Sequence, residues 1–416
     1  MHPQRLLVRS LLAGTALFLL TATAYPQILA TGDPRFVLPP LYPPVCSVVS
    51  AQFDTSLRAT PPATDDTARL EAALTQCAGT GHAVLLIPSG ANNAFYSGGL
   101  TVNGEALIVG WGATLLGNNY GSSQFISVTG TNAGIFGPGT IDGRGDLITG
   151  STPRLINVKN FQNFNAAYIT LQHAAKMHLY IESGTGATIF GITIATPANT
   201  KNTDGIDLDS LTDATVFGSF IEDGDDGVAV KTNSGPASNI TVRFNRFYGT
   251  HGMSIGSQTM YGVTNVLWDN NQMFGTDQWG NVSSDNNGIR IKSDQTCGGP
   301  VNQVTYHNTQ LNGIKHLLIF NTYYGTCSGT PGIPWYQDIV VDGVTATNSQ
   351  SGAYSQFQGY DAANPLGLYL AHVHLDVTTQ QSSQYANVGL DDSNITPAGP
   401  GVTTFDFNLR EPWWFW

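Results

Sequence analysis

Three aspartates and a histidine recur in the middle of the chain at spacings that would bring them together in a repeating fold. Asp204 is followed after 21 and 22 residues by the adjacent pair Asp225 and Asp226, and His251 lies 25 residues beyond Asp226. Carboxyl groups that lie close together raise the pKa of one member, so a protonated acid is expected beside ionised partners. Hydrolysis of a glycosidic bond requires this combination.

Other aspartates nearby suit a structural role, in a turn where the carboxylate accepts a hydrogen bond from its own backbone. This interpretation suits Asp207, Asp209, Asp213 and Asp223. It suits Asp225 and Asp226 poorly, because adjacent carboxylates repel each other and neighbouring strand residues point to opposite faces. Both can face solvent only in a bulge or turn, which Gly224 and Gly227 would permit.

Two cations share one face of a predicted strand further along the chain. In the segment "NNGIRIKSD", Arg290 and Lys292 are two residues apart, so their side chains point the same way. Such a pair could bind the carboxylate of a substrate, since a guanidinium can hold a carboxylate through two hydrogen bonds. The alternative is a solvated pair that balances Asp285 and Asp294.

Short β-branched segments that recur along the chain must position these side chains. The segments "GATIFGITI", "DATVFGSFI", "NITVRFNRF" and "NVLWDNNQMF" repeat after 27, 26 and 25 residues, counted between Thr188, Thr215, Thr241 and Val266. A β-sandwich has no recurring unit of this length, whereas one coil of a parallel β-helix does. The predicted fold is therefore an all-β, single-stranded parallel β-helix. Its N-terminal end is covered by a helix within residues 65–78, where Leu70, Ala73, Leu74 and Cys77 share one face.

The composition excludes several classes of protein. Only 11% of the 416 residues are charged, the net charge is −12, and 47 residues are glycine. A nucleic-acid-binding protein would need a surplus of lysine and arginine. A coiled coil would be rich in glutamate and lysine, and a disordered chain would lack the 41% of hydrophobic residues found here.

The N-terminus predicts export. Arg5 and Arg9 precede an apolar stretch from about Leu11 to Leu20, and Ala22-Thr23-Ala24 provides a cleavage pattern of small residues. The apolar stretch is too short for a membrane-spanning helix. We therefore expect a signal peptide over residues 1–24, a single catalytic domain over 25–416, and a secreted, extracellular protein without a membrane anchor.

The cysteines suit an oxidising compartment. We expect two disulfides among Cys46, Cys77, Cys297 and Cys327; the sequence-local pairs 46/77 and 297/327 are favoured, although three connectivities are possible and free thiols are the alternative. Their spacing does not suit zinc. His372 and His374 could share a strand face and bind a metal, but no third ligand is evident. The aromatic tail "EPWWFW" is interpreted as packing over the last coil, with sugar binding as the alternative.

Four motifs occur in an order that resembles the polygalacturonases, glycoside hydrolase family 28. They are "NTDGID", "GDDGVAVKT", "THGMSIGS" and "GIRIKS", with "GPGTIDGRGD", "GIPWYQDI" and "GYDAANPLGL" as supporting segments. The resemblance extends from about Cys46 to His374 and is greatest to secreted bacterial endo-polygalacturonases. It implies a right-handed parallel β-helix whose cleft binds polygalacturonate, and hydrolysis of α-1,4-galacturonosyl bonds with inversion, in an endo-acting monomer without metal or cofactor.

The resemblance also implies a role for each matching residue. Asp225 would be the general acid, Asp204 and Asp226 would hold and activate water, and His251 would tune the acid. Arg290 and Lys292 would bind a galacturonate carboxylate. Tyr324, beside Tyr323, matches the family's cleft tyrosine by position, and Asn202 would support Asp204 or contact sugar.

Three departures from the family pattern bear on substrate length rather than on reaction class. Thr250 replaces a usual glycine before His251, and Gly227 follows the aspartate pair, where it could loosen the cleft floor. The segment 275–287 looks long and could form a cleft wall carrying Trp279, which would favour an exo-acting enzyme. Further alternatives are a rhamnogalacturonan hydrolase, a Ca²⁺-dependent pectate lyase-like enzyme and a non-catalytic solenoid that binds polysaccharide.

Overall fold

The structure is a computed structural model that describes residues 29–118, 120–121, 123–150, 152–329 and 331–409. The predicted signal peptide, residues 1–24, and the aromatic tail, residues 411–416, lie outside the described residues. Within them the chain forms 35 short strands, one α-helix and one 3₁₀ helix, Thr55–Leu57. The strands stack in parallel, coil upon coil, so the predicted parallel β-helix is confirmed.

The strands form three parallel ladders, named A, B and C in the order in which each coil visits them. Ladder A contains Val45–Ser50, Ala83–Ile87, Ala106–Val109, Gly134–Phe136, Asn165–Ala167, Thr185–Phe190, Thr212–Phe217, Ala237–Arg243, Val263–Asp269, Pro300–His307, Trp335–Asp342, Leu366–Ala371, Ala386–Asp391 and Val402–Asp406. Ladder B contains Ala94–Ser97, Thr114–Gly117, Thr140–Asp142, Thr170–Gln172, Thr193–Ala195, Phe220–Glu222, Arg246–Tyr248, Gln272–Phe274, Gln310–Asn312 and Thr345–Thr347. Ladder C contains Leu100–Asn103, Gln124–Thr131, Arg154–Gln162, Leu179–Glu182, Ile206–Asp209, Val228–Lys231, Met253–Ile255, Asn287–Asp294, His316–Gly325, Tyr354–Gln358 and Gln381–Gln384.

The interior is apolar because alternate strand residues point inward and identical positions stack from coil to coil. In ladder C one such column is fully buried; it runs through Val158, Ile181, Leu208, Val230, Ile255, Ile291, Phe320 and Phe357. In ladder A, Thr188, Thr215 and Thr241 stack as the repeat predicts. The next member is Leu267 rather than Val266, so the last interval is 26 residues and not 25.

Two buried asparagines continue this stacking in the turns from ladder A to ladder B. Asn245 Oδ1 accepts a hydrogen bond from Ser219 N (2.9 Å), and Asn271 Oδ1 accepts one from Asn245 N (3.0 Å). The Asn271 amide also donates to Val242 O at 2.8 Å. The side chains therefore satisfy backbone groups of neighbouring coils inside the solenoid.

The N-terminal end is closed as predicted. The helix Thr67–Cys77 buries Leu70, Ala73, Leu74 and Cys77, which are the four residues assigned to its inner face. A disulfide joins Cys77 to Cys46 in the first strand, and a second joins Cys297 to Cys327. Both predicted pairs are thus formed.

An extended segment, residues 29–44, crosses the outside of ladder A, and we call it the N-terminal strap. Ala30 N donates to Thr305 Oγ1 (2.8 Å), and Asp33 N donates to Thr241 Oγ1 (2.9 Å), two coils earlier along the chain. Arg35 donates to Ala187 O at 2.7 Å, and the ring of Tyr42 packs on Phe136. The strap therefore runs against the direction of the solenoid and contacts successive coils.

No helix within the described ranges is long and apolar enough to cross a membrane.

Candidate active site

The aspartate motifs occupy the turns from ladder B to ladder C, each just before a ladder C strand. Asp204 precedes Ile206–Asp209, the pair Asp225 and Asp226 precedes Val228–Lys231, and His251 precedes Met253–Ile255. Backbone hydrogen bonds stack these turns, from Gly205 N to Asp226 O (2.9 Å) and from His251 N to Asp225 O (2.6 Å). The structure therefore brings the three predicted aspartates and the histidine together.

Asp226 is a buried carboxylate held by cations. Its Oδ2 lies 2.8 Å from Lys292 Nζ, and its Oδ1 accepts a hydrogen bond from Ser254 Oγ at 2.6 Å. Arg290 Nη1 lies 3.7 Å from Oδ1. Burial disfavours the charged form, but the positive charges of Lys292, Arg290 and Lys231 outweigh it and hold the pKa of Asp226 well below its usual range.

Asp204 is also buried and has a cation of its own. Lys231 Nζ donates a hydrogen bond to Asp204 Oδ2 at 3.0 Å. Burial raises the pKa of Asp204 above its usual value; the charge of Lys231 opposes this rise, and the carboxylates of Asp225 and Asp226 add to it. Lys231 is therefore what favours the ionised form of Asp204.

Asp225 differs from both of these carboxylates. Its side chain is 21% exposed, against 6% for Asp204 and 2% for Asp226. Its Oδ1 lies 2.9 Å from His251 Nδ1 and accepts a hydrogen bond from Asp226 N at 2.9 Å. No lysine or arginine in the described part of the chain lies within ion-pair distance of it.

The basic pair lies on the outer face of the ladder C strand Asn287–Asp294, next to Asp226. Arg290 and Lys292 are buried rather than solvated, so the alternative is wrong about solvation, although Arg290 does pair with Asp285 as it supposed. Arg290 Nη2 lies 2.8 Å from Asp285 Oδ2, and the other oxygen of Asp285 lies 2.8 Å from His316 Nδ1. The ring of Tyr324 lies 5.1 Å from each cation.

A cavity of about 170 Å³ opens beside this pair. Besides Arg290, Lys292, Asp285, His316 and Tyr324, it is lined by Asn287, Ile319, Asn321, Tyr354 and Gln356. Polar and aromatic side chains of this kind suit a sugar ring that carries a carboxylate, because amides and hydroxyls can orient it while cations hold its charge.

The family resemblance also assigned site roles to Tyr324 and Asn202, and of these two residues the structure places Tyr324 next to the basic pair. Tyr324 faces the cations, whereas Tyr323 stacks on Tyr360 with ring centres 5.2 Å apart. Asn202 is exposed in the turn before Asp204, and no hydrogen bond from its side chain to an aspartate is found among the described residues. Thr203 instead ties the turns together, since its Oγ1 accepts a hydrogen bond from Gly224 N at 2.9 Å.

The turn interpretation is wrong for Asp207 and Asp209. Both lie inside the strand Ile206–Asp209 and are fully buried. Asp207 Oδ1 lies 2.6 Å from Lys231 Nζ, and Asp209 accepts hydrogen bonds from Tyr180 and Asn233. Asp223 does form the expected turn, accepting a hydrogen bond from Asp225 N at 2.9 Å.

Gly227 and Thr250, two of the departures from the family pattern, lie next to each other. A Cβ added at Gly227 would lie 2.6 Å from the ring of Phe247 and 3.3 Å from Thr250 Oγ1, so the space is already filled. The expectation that Gly227 loosens the cleft floor is therefore wrong. Thr250 is buried, and its hydroxyl accepts a hydrogen bond from Gly252 N at 3.1 Å, which braces the turn that carries His251.

The long segment between the strands Gln272–Phe274 and Asn287–Asp294 packs beside the site. Asp277 accepts hydrogen bonds from Ala198 N (2.8 Å) and Asn281 N (2.7 Å), which fixes the segment to an earlier coil. Trp279 is about half exposed, and Ser284 Oγ lies 3.4 Å from His251 Nε2. The segment thus forms one side of the site, as expected.

Sequence reasoning missed several residues that hold the site. They are Lys231, Ser254 and His316, and Asp207 was assigned to a turn instead. A signal existed for Lys231, since in "GDDGVAVKT" it alternates with two valines and must point outward with Ala229. The contact between His316 and Asp285 could not be predicted from residue spacing, because the long segment that contains Asp285 interrupts the regular coil length.

In the part of the chain that the structure describes, three groups of side chains have metal-ligand atoms within 4.8 Å of one another. Asp294, Cys297 and Cys327 include a disulfide, and Asp142, Asp146 and His173 surround Arg58, which binds both carboxylates. The third group is Asp225, Asp226 and His251, where a metal ion would compete with Lys292 for Asp226. His372 contacts Asp342 instead, with Nδ1 2.8 Å from Oδ1.

A parallel β-helix with three clustered aspartates beside a cavity lined by an arginine and a lysine suits a polysaccharide-cleaving enzyme. Residues 99–394 match the family model described as Glycosyl hydrolases family 28. The chain is 33% identical to an endo-polygalacturonase of Pectobacterium carotovorum subsp. carotovorum over 86% of this chain and 92% of that protein. It is 30% identical to a polygalacturonase of Ralstonia nicotianae over 83% of this chain and 78% of that protein.

The solved structures agree with the sequence matches. The polygalacturonase from Erwinia carotovora ssp. carotovora superposes with a TM-score of 0.73 at 30% identity, covering 86% of this chain and 99% of that one. The chain therefore belongs to the glycosyl hydrolases of family 28. The family inferred from the four motifs is confirmed, and the protein is a glycoside hydrolase.

Proposed function

We propose that this protein hydrolyses α-1,4-galacturonosyl bonds of polygalacturonate within the chain and with inversion. One observation carries the assignment of roles. Two of the three clustered carboxylates, Asp204 and Asp226, are paired with buried lysines, whereas Asp225 contacts His251 and no lysine or arginine among the described residues. The lysine-paired carboxylates suit bases, and the more exposed Asp225 suits the acid.

The chemistry follows from this division. Asp225 gives its proton to the glycosidic oxygen as the bond from that oxygen to the anomeric carbon breaks. A water held by Asp204 and Asp226 attacks the same carbon from the opposite side, and its proton passes to one of these carboxylates. His251, 2.9 Å from Asp225, then favours return of a proton to Asp225 before the next cycle.

Substrate recognition rests on the cavity beside Arg290 and Lys292. A galacturonate carboxylate can replace part of their present contacts with Asp226 and Asp285, and the sugar face can pack on Tyr324. Pectin would be the natural substrate, and we propose that the chain acts as a secreted extracellular monomer. The endo mode is supported by the relatives named endo-polygalacturonase.

A time course of products on polygalacturonate tests the proposal. We expect a ladder of oligomers from the start, with a fall in viscosity that precedes most of the release of reducing ends. Monomer or dimer alone from the start would instead indicate an exo-acting enzyme whose groove is closed by the segment 275–287. Unsaturated products that absorb in the ultraviolet would indicate a lyase, and binding without any product would indicate a non-catalytic solenoid.

A further inference from the structure

Lys231 and Asp207 form a buried ion-pair network with Asp204, and the steps above give these two residues no role of their own. Lys231 ends the ladder C strand Val228–Lys231, and its Nζ lies between two carboxylates of the previous coil. It is 3.0 Å from Asp204 Oδ2 and 2.6 Å from Asp207 Oδ1. Lys231 is 8% exposed and Asp207 fully buried, so the ammonium group is held by its partners rather than by water.

Asp207 has little to stabilise a charge. Its Oδ2 has no hydrogen-bond partner within the described part of the chain. A buried carboxylate with an unpaired oxygen is costly, and burial raises the pKa of Asp207 well above its usual value, with the nearby charge of Asp204 as the next cause. Asp207 is therefore expected to keep its proton, so Asp204 is the ionised carboxylate in direct contact with Lys231, whose charge also acts on Asp226 from further away.

Among the described residues, the other titratable groups near Lys231, Asp204 and Asp207 do not supply a second cation. Asp225, Asp226 and Asp223 approach from the next turn, and Tyr180 and Asp209 lie on the neighbouring strand positions. The buried ring of His178 has its pKa lowered to about 4 by burial, so it is neutral near pH 6. Among the described residues Lys231 is thus the cation that Asp204 contacts.

We propose that Lys231 and Asp207 are positioning residues for Asp204. Lys231 holds the Asp204 carboxylate ionised and oriented towards the attacking water, and an uncharged Asp207 fixes the ammonium group from the other side. This inference rests on the proposed hydrolysis, because it assigns Asp204 as a base.

The test is the pH dependence of kcat on polygalacturonate for Lys231→Met. Removing a cation raises the pKa of a neighbouring carboxyl group, so the carboxylate is lost at higher pH. We expect the acid limb of the profile to move upward by about one pH unit, with kcat on that limb reduced up to about tenfold and KM changed less than about threefold. If Lys231→Met does not fold, Lys231→Gln gives the same comparison.

Three further variants separate positioning from structural damage. Asp207→Asn replaces a neutral acid by a neutral amide, so its profile should match the wild type; a downward shift would overturn the uncharged state of Asp207. The double variant Lys231→Met/Asp207→Leu leaves no unpaired buried acid, and its acid limb should stay shifted; recovery of the wild-type limb would show that Lys231 has only a structural role. Lys159→Met is the matched control, because Lys159 occupies the same outward column of ladder C, is half exposed and pairs with Glu182.

Failure of the inference and of the proposed function can be told apart. A wild-type enzyme that releases reducing ends, with a Lys231→Met variant whose profile is unshifted, overturns the positioning role alone. A folded wild-type protein that releases none from polygalacturonate overturns both. Thermal unfolding of each variant confirms that the comparison is made between folded proteins.

Discussion

At the scale of single residues, the positions of two lysines distinguish the three clustered aspartates from one another. Lys231 and Lys292 occupy the same outward column of ladder C, two coils apart, and Gly256 stands between them. Each lysine reaches one aspartate, Asp204 or Asp226. This alternation leaves the intermediate Asp225 without a lysine or arginine partner among the described residues, and in the proposed mechanism this difference separates the acid from the two bases.

The acid assignment predicts the behaviour of Asp225→Asn. An amide keeps the shape and can still accept the hydrogen bonds from His251 and Asp226 N, but it cannot donate a proton to the leaving oxygen. We expect kcat on polygalacturonate to fall by about 10²–10⁴-fold, with the unfolding temperature unchanged. Steady-state kinetics with the control Asp213→Asn, which lies on the adjoining ladder A strand, check this; activity within a few-fold of wild type would remove Asp225 from the role of acid.

Much of the site could be predicted from sequence, because one coil has nearly constant length. Asp204, Asp225, Asp226 and His251 stand one coil apart, so counting residues was enough to bring them together. Counting residues does not predict contacts that depend on the reach of a long side chain or on the path of a connection. Lys231 reaches backwards to the previous coil, and Asp285 and His316 meet only because a twelve-residue connection folds over the site.

At the scale of strands and turns, the fold depends on groups that satisfy the backbone inside the solenoid. The hydrophobic columns were predictable from alternation, whereas the buried Asn245 and Asn271 were not, since asparagine is usually an exposed turn residue. Their amides replace backbone partners where the chain bends between ladders A and B. A polar residue at such a bend can therefore be as structural as a valine in a strand.

This view predicts a clear loss of stability for Asn271→Ala. The substitution leaves Asn245 N without its acceptor and removes a donor to Val242 O in a dry interior, and an unpaired buried group costs about 1–3 kcal/mol. We expect the thermal unfolding temperature to fall by several degrees. Asn387→Ala, at an exposed strand position, should stay within about 1 °C of wild type, and equal effects of both variants would contradict a special role for the buried amide.

At the scale of the whole molecule, the N-terminal strap joins coils that are distant in sequence. Gly32 packs closely against Thr241. A Cβ at this position would lie 2.2 Å from Thr241 Oγ1, and the φ of Gly32 is +69°. The segment can therefore follow the surface of ladder A only with glycine at this position. The low charge of the chain suits the same surface, because uncharged Thr and Asn hydroxyls and amides receive the strap.

The close packing at Gly32 predicts that the Gly32→Val substitution weakens the attachment of the N-terminal strap and leaves the solenoid interior unchanged. We expect a lower unfolding temperature and faster tryptic cleavage after Arg35, which in the wild type is held by Asp33 and Ala187 O. Gly218→Val is the matched control, since Gly218 has a similar φ of +63° but nothing within 4 Å of the added Cβ. Cleavage at equal rates in the two variants would show that the strap does not depend on this contact.

The strap also fixes an order of events in time. Ala30 binds Thr305, 275 residues later, so this end of the strap finds its partner only after most coils have been synthesised. As the solenoid grows coil by coil, the strap can dock from Tyr42 on Phe136 towards Ala30, and its docking is complete only when the coil that contains Thr305 has formed. Any chain that stops short of that coil keeps its N-terminal end loose, which makes it open to proteases that the finished molecule resists.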